Sequence, residues 1–190
     1  MNNVAYAKTS DREDYEIING QVYMMSRPST NHMAVELNIA TIFKSYLKGK
    51  KCRTFNEVDV FFDDDNNFVP DVIIVCNPDI IENKGIYGTP DLVVEIISPS
   101  TAVRDKMDKF FAYEKYGVKE YWIVSPQEKS VEVYVLKENK LTRDGVYQFY
   151  TEEEFNDLTD RQKELVKREI KISLYDDFYI TLEDIFENVK

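Results

Sequence analysis

The spacing of apolar and polar positions along the chain predicts a series of strands with helices set between them. In EIINGQVYMM (residues 16–25), two apolar runs flank Asn19-Gly20, the favoured dipeptide of a two-residue turn, so a hairpin is expected. A helix follows: Ser29 or Thr30 caps it, Met33, Leu37, Ala40, Phe43 and Leu47 form its apolar stripe, and Gly49 stops it. CRTFNEVDVFF (52–62) reads as one half-buried strand, Val58, Val60 and Phe62 alternating with Glu57, Asp59 and Phe61, and DDDNN turns it around. FVPDVIIVC (68–76) and PDLVVEIIS (90–98) are apolar on both faces, which marks strands covered on both sides of a sheet. Ser98, Ser100 and Thr101 offer caps for a second helix through Tyr116, ended by Gly117. KEYWIVS and SVEVYVL give two further strands around the turn PQEK. Residues 151–171 read as a charged helix or helix pair appended on the surface, and the tail docks back with Thr181 as a cap. The predicted fold class is mixed α/β, with helices packed on a central mixed β-sheet and residues 1–190 forming a single domain that carries a charged helical insertion at about 151–171.

Composition bounds this picture. The 190 residues are 43% hydrophobic, with 13 Tyr and 11 Phe, enough apolar material for a sizeable core. There is no apolar run of about 18 residues, so no membrane contact is expected. The polar start MNNVAYAKTSDREDYE lacks the layout of a signal peptide, which favours the cytoplasm. Cys52 and Cys76 show no ligand spacing and read as two reduced thiols rather than a disulfide. The net charge of −11 runs against a phosphate-gripping protein, although Lys44, Lys48, Lys50, Lys51 and Arg53 crowd one helix end and Lys163, Lys167, Arg168 and Lys171 another. Solvated helix faces and dipole-favoured C-terminal cations account for both clusters.

The chemistry begins with Glu95, placed among Val93, Val94, Ile96 and Ile97 in a strand that reads as buried. A buried carboxylate must be neutral, paired with a cation, or a metal ligand. Asp71, at the head of VIIV after Pro70, poses the same problem. If the two strands are neighbours, the carboxylates converge as hard oxygen ligands of the kind Mg²⁺ or Mn²⁺ prefers. Asp91 falls out on geometry: about 13 Å along the strand from Glu95, it is a strand-entry residue. Lys109 lies about 10 Å into a helix starting near Ala102, and a helix folding back along its strand brings it level with Glu95. The bland alternative for Lys109 is a surface salt bridge with Asp105, one helical turn earlier.

PDLVVEIISPST, then Asp105, Lys109, Tyr113 and GVKEYWIVSP, with YEIINGQVYMM, Pro28, His32 and VPDVIIV upstream, resembles the Uma-two family of endonucleases within the PD-(D/E)XK restriction-endonuclease-like superfamily. The resemblance implies a restriction-endonuclease-like core, with Asp71 and Glu95 as the motif carboxylates, aided by the Ile96 carbonyl as metal ligands. The superfamily's lysine two residues after the second carboxylate falls on Ile97, a departure that the family supplies from the next helix through Lys109. Asp105 becomes a helper orienting that lysine. Glu16 matches a recurrent family acid, and His32 stands where a substrate-side histidine or a backbone-bonded one is equally expected. Tyr113, Tyr116 and Trp122 read as core aromatics. The implied function is a cytoplasmic Mg- or Mn-dependent endonuclease on nucleic acid, DNA first, with homodimerisation compatible. Its rivals are an inactive interaction module of the same fold, which the charge of −11 favours, and a phosphoesterase with a non-nucleic substrate.

Overall fold

The computed structural model describes residues 15–98, 103 and 105–190, the side chain of residue 105 excepted. Strands β1 (Tyr15–Ile18) and β2 (Gln21–Met24) form the expected hairpin, Asn19 and Gly20 both taking the positive φ that its tight turn requires. Helix α1 (Thr30–Tyr46) is capped by Ser29, whose side chain accepts from the His32 N–H. Its buried row is Val35, Glu36, Ile39 and Phe43, whereas Met33 and Leu37 of the predicted stripe are exposed. The helix carries two adjoining apolar rows, and only tertiary contact decides which one meets the sheet.

The stretch predicted as one strand from Cys52 to Phe62 divides into β3 (Arg53–Asn56) and β4 (Val60–Asp63), which belong to different sheets. Glu57 turns the chain between them with φ 45°. A second corner follows β5 (Asn66–Phe68), where Val69-Pro70-Asp71 leads into β6 (Val72–Val75) and back to the first sheet. The Glu57 N–H donates to the Asp71 carbonyl at 3.2 Å and pins the two corners together. Alternation of side chains continues around such a corner, so it left no trace in the pattern.

Strands β7 (Ile86–Tyr87) and β8 (Leu92–Ile96) precede a π-helical turn at Asp105–Lys109 and helix α2 (Phe110–Tyr116), ended by Gly117 at φ 80°. The predicted caps Ser100 and Thr101 lie outside the described residues. Then come β9 (Glu120–Ser125), β10 (Ser130–Lys137) and β11 (Lys140–Gln148). The hairpin to β11 was not foreseen; Glu138 and Asn139 both adopt positive φ there without the glycine that usually announces such a turn. The charged segment is a pair of short helices, α3 (Glu152–Asp157) and α4 (Asp160–Leu165), each opened by a threonine capping box. Strands β12 (Glu169–Lys171) and β13 (Tyr179–Thr181) pair, and Thr181 caps α5 (Leu182–Ile185).

The six-stranded sheet runs β11-β10-β9-β8-β6-β3, parallel only at β8–β9, where α2 makes the crossover. On one face, α1 and the C-terminal segment cover Val72, Ile74, Leu92, Val94 and Trp122. On the other, the five-stranded sheet β2-β1-β5-β4-β7 and α2 enclose Ile73, Val75, Val93, Tyr113 and Tyr121. Tyr116 lies at the margin, its ring stacked on Phe62.

Cys52 and Cys76 form a disulfide with Cα atoms 3.9 Å apart, contrary to the expected free thiols. The cause is register: β3 pairs antiparallel with β6, Arg53 opposite Val75, so the next position outward sets the two cysteines face to face. A separation of 24 residues hid that pairing.

Candidate active site

Asp71 stands at the corner where β6 begins, reachable from both layers. In the antiparallel register Val72 faces Val94, so one residue further Asp71 faces Glu95, which places the two strand carboxylates side by side. Asp71 Oδ2 accepts from the Ile96 N–H at 2.5 Å, and Oδ1 lies 2.9 Å from His32 Nε2. Ile97, where the usual lysine would stand, is a partly buried hydrophobe against the core. Asp91 is the strand-entry residue expected, accepting from the Cys76 N–H and pairing with Lys119 at 2.7 Å.

Glu95 belongs to a solvent-excluded network. Lys109 Nζ donates to Glu95 Oε1 at 2.9 Å and lies 2.7 Å from Glu16 Oε1; the residues are only 3–4% exposed. Tyr113 Oη donates to the same Glu95 oxygen at 2.5 Å. Glu16 also accepts from the Val69 N–H at 2.9 Å, which ties the hairpin to the second corner. Lys109 closes the π turn, and Tyr113 follows four residues later on the same helix face, so one element delivers both partners of Glu95. Placing an ammonium between two buried carboxylates offsets the desolvation that either alone would suffer. Burial, reinforced by the Glu95 charge, holds the Tyr113 phenol well above its ordinary pKa, so it stays a donor.

The other half of the site is more open. His32, Glu36 and Asp71 bring one ligand atom each within 4.8 Å of one another, a donor set able to hold a metal ion. Burial works to lower the His32 pKa, but the Asp71 hydrogen bond and charge, with Glu36 and Glu57, outweigh it and hold the imidazole above its ordinary value. Burial raises the Glu36 carboxyl, opposed by the hydrogen bond from Asn56 Nδ2 at 2.8 Å. Sequence reasoning missed Glu36, although it follows His32 by one helical turn and so shares its face. It also read Tyr113 as core alone; nothing in a buried aromatic signals that its hydroxyl serves a carboxylate.

Residues of both halves line one cleft of about 660 Å³: Glu16, His32, Asp71, Glu95 and Lys109, joined by Arg27. The structure thus gathers Asp71, Glu95, Ile96, Lys109 and Glu16 in one place. The side chain of Asp105 lies outside the described residues.

Three likenesses to known proteins bear on this geometry. The profile of the family Uma2, described as "Putative restriction endonuclease", matches residues 5–170. An uncharacterized protein of Synechocystis sp. (strain ATCC 27184 / PCC 6803 / Kazusa), slr1290, is 31% identical over 126 residues, covering 65% of this chain. The match spans 66% of that relative, just under two thirds of its length. The crystal structure of a putative nuclease belonging to DUF820 from Anabaena variabilis ATCC 29413 is similar at a TM-score of 0.69, covering 94% of this chain and 93% of that one. At 22% identity, that likeness is one of fold.

Proposed function

This chain belongs to the Uma2 family, and from that premise we propose that it is a divalent-metal-dependent endonuclease hydrolysing phosphodiester bonds of nucleic acid in the cleft described above. The observation that carries the reading is Asp71 set opposite Glu95 in the lining of one cleft, with a buried lysine held against the second carboxylate.

The donor set fits the ion. Asp71, Glu95 and the Ile96 carbonyl are hard oxygen donors on adjacent strands, the chemistry that Mg²⁺ or Mn²⁺ selects, and His32 and Glu36 stand beside Asp71. Such an ion supplies Lewis-acid polarisation of the phosphodiester and acidification of water. The remaining steps fall to the chain. Lys109 donates toward the charge that develops on the phosphoryl group or orients the attacking water, and Glu16 and Tyr113 fix the geometry of the Lys109–Glu95 pair. Asp105 is proposed as a helper of Lys109. Arg27, which also lines the cleft, is proposed to meet a substrate phosphate.

Duplex DNA is the first substrate to try. Exposed Val103, Met107 and Phe111, spaced four residues apart, motivate a homodimer as the working unit, and a monomeric mass by sedimentation would remove that part of the proposal. No helix among the described residues is long and apolar enough to cross a membrane.

The test is incubation with single- and double-stranded DNA and RNA in Mg²⁺ or Mn²⁺, beside Asp71→Ala and Glu95→Ala. Loss of cleavage in both variants supports the assignment, and cleavage that survives both overturns it. The charge of −11 favours a non-catalytic interaction module as the second reading; absence of cleavage together with absence of metal binding by calorimetry would select it.

A further inference from the structure

The basic cluster Lys44, Lys48, Lys50, Lys51 and Arg53 has no part in the cleft. All five are exposed, and among the described residues none forms an ion pair, in a chain with 35 acidic residues against 24 basic ones. Lys50 alone is engaged, its ammonium lying over the rings of Tyr46 and Tyr175. The helix dipole explains a cation in the last turn of α1, which is Lys44; Lys48, Lys51 and Arg53 lie beyond the helix. The second basic cluster differs. Lys163 donates to the Asn156 carbonyl, Arg168 lies over Phe155, Lys167 over Tyr147, and Lys171 is 3.9 Å from Asp176.

A groove of about 480 Å³ runs between α1 and β3, with Thr41, Lys44 and Ser45 on one wall and Thr54, Phe55 and Asn56 on the other. β3 is the outermost strand of its sheet, and an edge strand turns a row of backbone N–H groups outward. The groove's last residue adjoins the candidate site: Asn56 holds Glu36, and the next residue, Glu57, lines the cleft and donates its N–H to the Asp71 carbonyl. From Asn56 to Arg53 the strand covers about 10 Å. That matches about three base steps of one strand of a duplex, at roughly 3.4 Å each.

We propose that this groove and the cations Lys44, Lys48, Lys51 and Arg53 at its far end seat the phosphodiester backbone of nucleic acid, about three nucleotides from the cleft. This rests on reading the cleft as a nuclease site. The occupant is a polyanion because the surface is cationic and unpaired within a strongly acidic chain, and the groove leads such a strand toward Asp71. An acidic protein overall thereby carries one local track for phosphates, which confines the substrate to a single approach.

The test is fluorescence anisotropy with labelled duplex DNA and duplex RNA, without divalent metal, over a series of NaCl concentrations. The variant Lys44→Ala/Lys48→Ala/Lys51→Ala/Arg53→Ala should bind about tenfold or more weakly, and its slope of log affinity against log salt on duplex DNA should shrink by about 3.6. The matching variant Lys163→Ala/Lys167→Ala/Arg168→Ala should keep the slope and the cleavage rate of the native chain, and thermal melts check that both variants are folded. Cleavage by the native chain with unchanged affinity and slope in the first variant overturns the groove alone. A native chain that neither binds nor cuts any nucleic acid overturns the groove and the nuclease reading together.

Discussion

Asp71 and Glu95 face each other across β6 and β8, yet they live under opposite conditions. Glu95 is enclosed with Lys109, Glu16 and Tyr113, all but inaccessible to water, and these groups hydrogen-bond or pair with one another. Asp71 shares its half with His32 and Glu36, and its side chain retains 16% exposure. A closed network is rigid because opening it strands a charge in low dielectric. A half-open group can exchange a hydrogen bond for a ligand at little cost. The contrast fits the proposed roles: the closed half holds Glu95 and Lys109 in fixed geometry at the cleft, and the open half can rearrange around what enters it.

The sharpest way to break this comparison is to remove the cation from the closed half. Lys109→Met removes the ammonium that lies between the buried Glu16 and Glu95 and should cost about 3–5 kcal/mol of folding stability, read by urea denaturation. A loss below about 1 kcal/mol, the range of surface pairs, would show that the half is not closed. In the open half, Asp71→Asn preserves shape and removes charge. It should lower cleavage by about 100-fold, roughly 2.7 kcal/mol of barrier, while urea stability changes far less than in Lys109→Met. Equal losses of stability in both variants would erase the distinction.

Smaller effects refine it. Tyr113→Phe deletes one donor to a buried carboxylate and should destabilise by about 1.5 kcal/mol, measured by the same titration. The last prediction concerns pH. The folded state holds His32 above its ordinary pKa of 6.5, so the His32–Asp71 pair contributes stability that is full below that value and is lost as pH rises through the folded-state pKa. The gap in melting temperature between the native chain and His32→Gln should therefore be widest near pH 5 and close toward pH 8, corresponding to under about 1 kcal/mol. A gap that widens with rising pH would reverse the assignment.

The closed half was the more legible in the sequence. A carboxylate inside VVEII had to be neutral, paired with a cation or a metal ligand, and helix arithmetic brought Lys109 level with it. The open half was legible only through Asp71 and a histidine of undecided role, because Glu36 comes from a helix face that tertiary packing alone selects. The same limit hid the corners at Glu57 and Val69–Asp71: periodicity reports which side of a strand is apolar and not which sheet the strand joins. The cysteine pairing and β11 escaped for a related reason, since register and turn conformation come from long-range contacts or from residues such as Glu138 that rarely adopt them.

The Cys52–Cys76 bond encloses Glu57, both corners and Asp71 in one covalent ring, while Glu16, Glu95 and Lys109 lie outside it. In an oxidised chain the ring persists on unfolding and restricts the denatured ensemble, an effect of about 3 kcal/mol for a loop of this size. Where thiol reductants prevail, β3 holds its register through strand pairing alone. The corner that carries Asp71, and the strand that walls the groove beside it, is thus coupled to the electron balance of its surroundings through a bond that lies outside the cleft, and the Val69 N–H carries that coupling on to Glu16.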